Sequence, residues 1–167
     1  MPLRLIAAAL AALALMVAGC SEAGLDSAPT GEPGGPAPAF SVPALSGEGR
    51  VALADHRGTP VVLNFWASWC GPCKKEMPDL VAFAEEHPDV AVIGLAVNDA
   101  PADSRRFAER YRVGYELGID RRADVAGEYG ATGLPVTVFV DREGQIISTQ
   151  FGSVTRPDLE AFAESMA

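Results

Sequence analysis

The run from Pro60 to Leu80, PVVLNFWASWCGPCKKEMPDL, constrains this chain more than any other feature. Its first eight residues, PVVLNFWA, are β-branched, aliphatic and aromatic, and Gly58 and Pro60 bound them. That is the texture of a central strand buried on both faces. From residue 72 the spacing becomes helical as far as 87, with Met77, Leu80, Val81 and Ala84 on one stripe and charges elsewhere. Pro88 ends that helix by disfavouring helical geometry at His87. Cys70 and Cys73 fall at the junction between strand and helix, so any fold must carry the strand's end through a tight turn into a helix start.

The rest of the chain supplies the partners of that unit. FSVPAL and RVALAD, separated by SGEG, read as a hairpin or two short strands with Pro43 near an edge. VAVIGLAVN at 90–98 is a second buried strand. A helix follows it, with Asn98 or Asp99 as its cap and Pro101 in its first turn. RVGYELGIDRR reads as a loop leading to a short helix, ADVAGEYG, closed by Gly130. VTVFVD and QIISTQFG are strands joined by DREG, and TRPDLEAFAESMA is a final helix that opens on Thr155 and Asp158. The order β-β-β-α-β-α-α-β-β-α predicts one layered α/β domain with a mixed sheet.

The third cysteine, Cys20, stands apart. Leu5 to Val17 is an unbroken apolar run behind one charge, Arg4, and it ends in VAGC. Its length suits a signal-peptide core and is too short to cross a bilayer. VAGC resembles a lipobox, which implies cleavage before Cys20 and a diacylglyceryl group on its sulfur; the alternatives are an ordinary secretory cleavage nearby or a retained apolar anchor. The boundaries expected are a signal peptide over 1–19, a lipidated Cys20 with a mobile linker over 20–39, and a folded domain over 40–167. Residues 21–39 hold four Pro, four Gly and one large aliphatic residue, Leu25, too little apolar surface to offset ordering entropy. Extended at about 3.1 Å per residue, such a tether reaches roughly 60 Å. Losing Arg4 with the leader moves the formal charge from -9 to -10. So acidic a domain is a poor partner for nucleic acid and gains nothing from anionic lipid, which leaves the membrane contact to the lipid on Cys20.

A Cys-x-x-Cys pair suits zinc, a structural disulfide or reversible redox chemistry. Structural zinc takes four ligands. With Cys20 set aside, the chain offers Cys70, Cys73, His56 and His87, with no second pair at ligand spacing, so no metal and no cofactor are expected. His56 reads as part of a polar turn and His87 as a helix end. A structural disulfide across four residues would constrain little of the unfolded chain. Redox chemistry fits the surroundings better. At the helix N-terminus, unpaired N–H groups and the macrodipole stabilise a thiolate, which suits Cys70 to attack. Cys73, one turn further in, suits the resolving role. Pro72 sets the first turn, and Trp69 offers an apolar docking face.

FWASWCGPC resembles the thioredoxin active site, and Pro78, five residues after Cys73, matches the proline inside that family's helix. GLPVT at 133–137 matches a second mark of the family. The resemblance covers residues 40–167 and implies that Pro135 is cis and lies against the cysteines. It also implies that the Leu134 main chain pairs with substrate, and that Trp69, Gly71 and Pro72 complete the substrate-binding face. Thioredoxin has an aspartate where this chain has Asn64, which cannot titrate. Glu76, three residues after Cys73, is spaced to handle the proton instead, or else it merely complements the helix N-terminus.

The pattern Trp-Cys-x-x-Cys-x-x-Glu, the anchor and a helical insertion near 99–130 resemble the membrane-tethered thioredoxin-like reductases of the TlpA and ResA type. That resemblance implies a thioredoxin fold with a mixed central sheet, an N-terminal β-hairpin extension and a helical insertion. It implies a monomer at the extracytoplasmic face of a bacterial membrane. Electrons would come from a membrane thiol donor and pass to exported protein disulfides or apocytochrome c, in cytochrome c maturation. The alternatives are a disulfide oxidant or isomerase, a peroxiredoxin-like peroxidase, and a non-catalytic binding module.

Overall fold

The computed structural model describes residues 33–166. The expected signal peptide, the lipid on Cys20 and the first part of the linker lie outside the described residues. In chain order the elements are β1 (Ser41–Pro43), β2 (Arg50–Ala52), a 3-10 turn (Leu53–His56), β3 (Val61–Trp66), α1 (Gly71–Glu86), β4 (Ala91–Val97) and α2 (Pro101–Tyr111). They continue with β5 (Glu116–Asp120), α3 (Asp124–Glu128), β6 (Val136–Val140), β7 (Ile146–Phe151) and α4 (Arg156–Ser165).

Five strands form one mixed sheet in the order β5-β4-β3-β6-β7, with β1 and β2 pairing separately. β3 runs parallel to β4 and antiparallel to β6, so it lies at the centre, and all six of its residues are buried. Side chains alternate across its pleat. Val61, Leu63 and Phe65 join Phe40, Ile93, Leu95 and Tyr129 on one face. Val62 packs on the other with Leu80 and Phe83 of α1 and Leu159 and Phe162 of α4. Trp66, at the strand's end, gathers with Ala67, Cys70, Cys73, Met77 and Phe107. Asn64 belongs by alternation to the face that α1 covers. The expected mixed α/β fold with its N-terminal hairpin is the fold observed.

Four local expectations need correction. The loop expected over 112–122 contains β5, an edge strand parallel to β4. Gly114 and Gly118 weaken its local strand signal, but the hairpin packs directly over Gly118. A Cβ there would lie 2.5 Å from Val42 Cγ2 and 2.8 Å from Leu95 Cδ2. The insertion near 99–130 is therefore helix-strand-helix rather than purely helical.

The buried stripe of α1 is rotated from the one expected. Phe83 and Glu76 are buried with Met77 and Leu80, while Val81 and Ala84 are only partly covered. The N-cap of α2 is Ala100, with Asn98 and Asp99 ahead of it.

Finally, the ordered domain begins before residue 40. Gly34 N–H donates to the Ile146 carbonyl at 2.7 Å, Ile146 N–H to Gly35 at 2.8 Å, and Ala37 N–H to Gly144 at 2.9 Å. The Tyr129 hydroxyl donates to the buried Pro38 carbonyl at 2.6 Å. Main-chain pairing at a sheet edge needs no large side chains, so composition does not register it. Among the described residues no helix is long and apolar enough to cross a membrane.

Candidate active site

The end of β3 delivers the chain through Ala67, Ser68 and Trp69 to Cys70, which is the N-cap of α1 in extended geometry, φ -74° and ψ 114°. Cys70 and Cys73 form a disulfide with S–S 2.03 Å and Cα–Cα 5.3 Å. The Cys73 N–H, one of the donors that a helix start leaves unpaired, points at Cys70 Sγ from 3.2 Å. Cys73 is fully buried and Cys70 is 4% exposed. Gly71 and Pro72 are exposed between them. Pro72 lies in the first turn, where its missing N–H leaves no helical bond unmade. Pro78 lies inside the same helix.

The turn ahead of Cys70 is fastened from the end of β4. Asp99 accepts from the Ser68 N–H at 2.8 Å, the Ser68 hydroxyl at 2.9 Å, the Ser104 hydroxyl at 2.7 Å and the Ala100 N–H at 3.0 Å. Next to it, the Asn98 carbonyl accepts from the Trp69 indole at 3.4 Å. Trp69 is nevertheless 61% exposed, so the contact holds one edge of the ring and leaves the rest to solvent.

Glu76 is three residues on from Cys73 and, like it, lies on the buried face of α1. Its Oε1 accepts from the Asn64 amide at 2.9 Å and its Oε2 from the Val154 N–H at 3.0 Å. Burial pushes its pKa up to about 7, against the lowering effect of those two hydrogen bonds. Asn64 spends its second amide hydrogen on the Thr137 hydroxyl at 2.9 Å, and its Oδ1 has no partner among the described residues. Tyr115, whose hydroxyl meets Met77 Sδ at 3.0 Å, is held well above the usual phenol range by burial and by the charge of Glu76.

The Leu134–Pro135 bond is cis. Pro135 is buried, its carbonyl accepts from the Gly152 N–H at 3.0 Å, and Leu134 packs on the cluster that holds both cysteines. The Ser153 hydroxyl reaches the Pro72 carbonyl at 3.3 Å, which ties the β7–α4 connection to the cysteine turn. Phe151, 65% exposed, leads into that connection.

The residues expected at the site thus converge from two separate stretches of chain, 69–76 and 134–135. Asp99, Ser68, Thr137 and the Val154 N–H were not foreseen there. Asp99 had a local signal, as a possible helix cap. Val154 had none, being 78 residues from Glu76.

The two histidines lie against carboxylates elsewhere, His56 Nε2 3.2 Å from Glu116 Oε2 and His87 Nε2 3.0 Å from Glu160 Oε2. Folding does bring carboxylates to His87, since ligand atoms of Glu86, His87 and Glu160 lie within 4.8 Å of one another. Arg156 already pairs with both carboxylates there.

Comparison with known proteins gives a consistent picture. The AhpC/TSA family model matches residues 33–149. Thiol-disulfide oxidoreductase ResA of Geobacillus thermodenitrificans is 35% identical over 135 residues, covering 80% of this chain and 77% of its own. The solved structure of MTB dsbF in mixed oxidized and reduced forms superposes with a TM-score of 0.72 at 29% identity, over 77% of this chain and 95% of that one. A secreted thiol-disulfide isomerase from Corynebacterium glutamicum gives 0.71 at 26% identity, over 77% and 83%.

Proposed function

The chain belongs to the AhpC/TSA family and is a thiol-disulfide oxidoreductase, and from that premise we propose that it reduces disulfides in exported proteins, apocytochrome c among them. In this reading, residues 1–19 are removed and a lipid on Cys20 holds the domain at the extracytoplasmic face of a bacterial membrane. The observation that carries the reading is the Cys70–Cys73 pair at the start of α1 with the buried Glu76 one turn further along.

The disulfide described is the oxidised end of the cycle. Two electrons from a membrane thiol donor convert it to a dithiol. The Cys70 thiolate, stabilised by the Cys73 N–H and the helix N-terminus, attacks one sulfur of the substrate disulfide. A Cys70–substrate bond forms as the substrate S–S bond breaks, and the first substrate sulfur leaves as a thiolate. Cys73 then loses its proton to Glu76 and attacks Cys70 Sγ. That step re-forms the Cys70–Cys73 bond and releases the second substrate sulfur, so the substrate has gained the two electrons. A carboxyl with a pKa of about 7 is suited to take and return that proton near neutrality. The unpaired Oδ1 of Asn64 supports this role. Half a turn of the amide would offer an acceptor to protonated Glu76, so both protonation states have a hydrogen-bonded arrangement. Leu134, beside the cis proline, is the main-chain partner for a substrate strand, with Trp69, Gly71 and Pro72 as its floor.

The isomerase from Corynebacterium glutamicum favours a second reading, the same exchange run as an oxidant or isomerase. The reduction potential of Cys70–Cys73 in defined thiol-disulfide buffers separates the two. A value at or below about -270 mV supports the reductase, and one near about -120 mV overturns it. Cys73→Ser, unable to resolve, should then accumulate mixed disulfides with exported proteins.

A further inference from the structure

Charge at the mouth of the site runs against the chain as a whole. Asp and Glu number 22 against 13 Lys and Arg, yet the only two lysines, Lys74 and Lys75, follow Cys73 directly, and both are exposed. Lys74 lines one wall of a groove of about 200 Å³ between α1 and α2, and Asp103, Arg106 and Arg110 line the other. Phe107 and Tyr111, with rings 4.6 Å apart, give the groove an aromatic side. Arg106 is paired with Asp103, whereas Lys74 and Arg110 have no ion-pair partner among the described residues. Ser68, two residues before Cys70, also lines the groove, so the groove adjoins the turn that presents Cys70.

We propose that this groove docks an acidic side chain, Asp or Glu, next to the disulfide of the polypeptide that the protein acts on, with Lys74 and Arg110 as the recognising cations. The inference deepens the thiol-disulfide reading and rests on it. The groove is smaller than the roughly 300–1,000 Å³ typical of sites for free small molecules, and its size suits one side chain presented by a longer chain. The cations are exposed, so they act on encounter and selection more than on bound-state stability. They also act locally. The net negative charge of the domain repels an acidic partner at long range, and beyond a Debye length of about 8 Å that repulsion is screened at physiological salt.

The test compares two peptide disulfides that are identical except for Glu or Gln beside the reactive cysteine, each reduced by the full-length dithiol protein. The readout is the ratio of their second-order rate constants. Both peptides meet the same thiol, so the ratio is independent of Cys70 reactivity. A Glu:Gln ratio of about five at physiological salt, falling towards one in about 1 M salt, is expected. It should also fall towards one in the Lys74→Gln/Arg110→Gln double variant. It should persist in Arg122→Gln, which removes a remote cation of the same charge. A wild-type ratio of one at physiological salt overturns the docking site alone, as does a ratio that survives the double variant or falls equally in Arg122→Gln. Reduction of neither peptide overturns the reductase reading and the groove's role with it. If the double variant does not fold, Arg110→Gln alone and the wild-type salt dependence decide the question.

Discussion

Asn64 on β3 and Glu76 on α1 are joined by a 2.9 Å hydrogen bond between two wholly buried side chains. The carboxylate's hydrogen bonds come from an amide and a main-chain N–H, with no cation among them. That neighbourhood satisfies its oxygens without cancelling its charge, which is why burial dominates and carries the pKa to about 7.

The first expectation concerns rate. Wild-type resolution of a mixed disulfide should accelerate as pH rises through about 7, where Glu76 becomes able to accept the Cys73 proton. Glu76→Gln should lose that inflection and slow the step by about 10²-fold. Stopped-flow release of a mixed disulfide between pH 5.5 and 8.5 measures both. An unchanged inflection in the variant would remove Glu76 from the proton path.

The same group links stability to pH. Its pKa is about 7 in the folded protein against 4.5 for the ordinary side chain, so the folded state holds an extra proton between those values. Its stabilising effect is complete below about 4.5 and is lost as pH rises through about 7. The wild-type stability should therefore fall relative to Glu76→Gln by about 3 kcal/mol across that window, at about 1.4 kcal/mol per pH unit. Denaturant unfolding of both proteins at pH 4.5, 6 and 7.5 checks the sign.

Asp99→Ala should free the turn that presents Cys70. It removes the acceptor for both the Ser68 N–H and the Ser68 hydroxyl, at a cost of about 2–3 kcal/mol. Ser68→Ala, which loses one hydroxyl bond, should cost about 1 kcal/mol. Urea unfolding gives the energies. A changed Trp69 fluorescence in Asp99→Ala alone would trace the effect to the loop.

Gly118→Ala tests the seat of the hairpin. The new methyl would meet Val42 and Leu95 inside van der Waals contact, so a loss of about 1–3 kcal/mol is expected from overpacking. The cysteine turn is built from other elements, so the reduction potential should stay at its wild-type value.

Much of this was legible locally. The apolar run at 60–67, the change of period after Cys73, and the DREG turn each depend on neighbours within a few residues, and β3, α1 and the β6–β7 hairpin appear where those signals lie. β5 was illegible because its strand character comes from pairing with β4 and from space for the hairpin over Gly118. The docking of 34–37 on β7 was hidden for a related reason, since it is made by main-chain groups that every sequence possesses.

The sequence by itself determined the chemistry available, with two cysteines at a helix start, a carboxyl one turn on, and a proline in GLPVT. It could not set the carboxyl's proton affinity. That depended on Asn64 from the central strand and on Val154, 78 residues away, both brought to Glu76 by the packing of α1 against the sheet. Burial, unlike residue order, is a property of everything that surrounds a group. Only the tertiary structure decided that Glu76 sits out of water with two neutral donors and, among the described residues, no counter-ion.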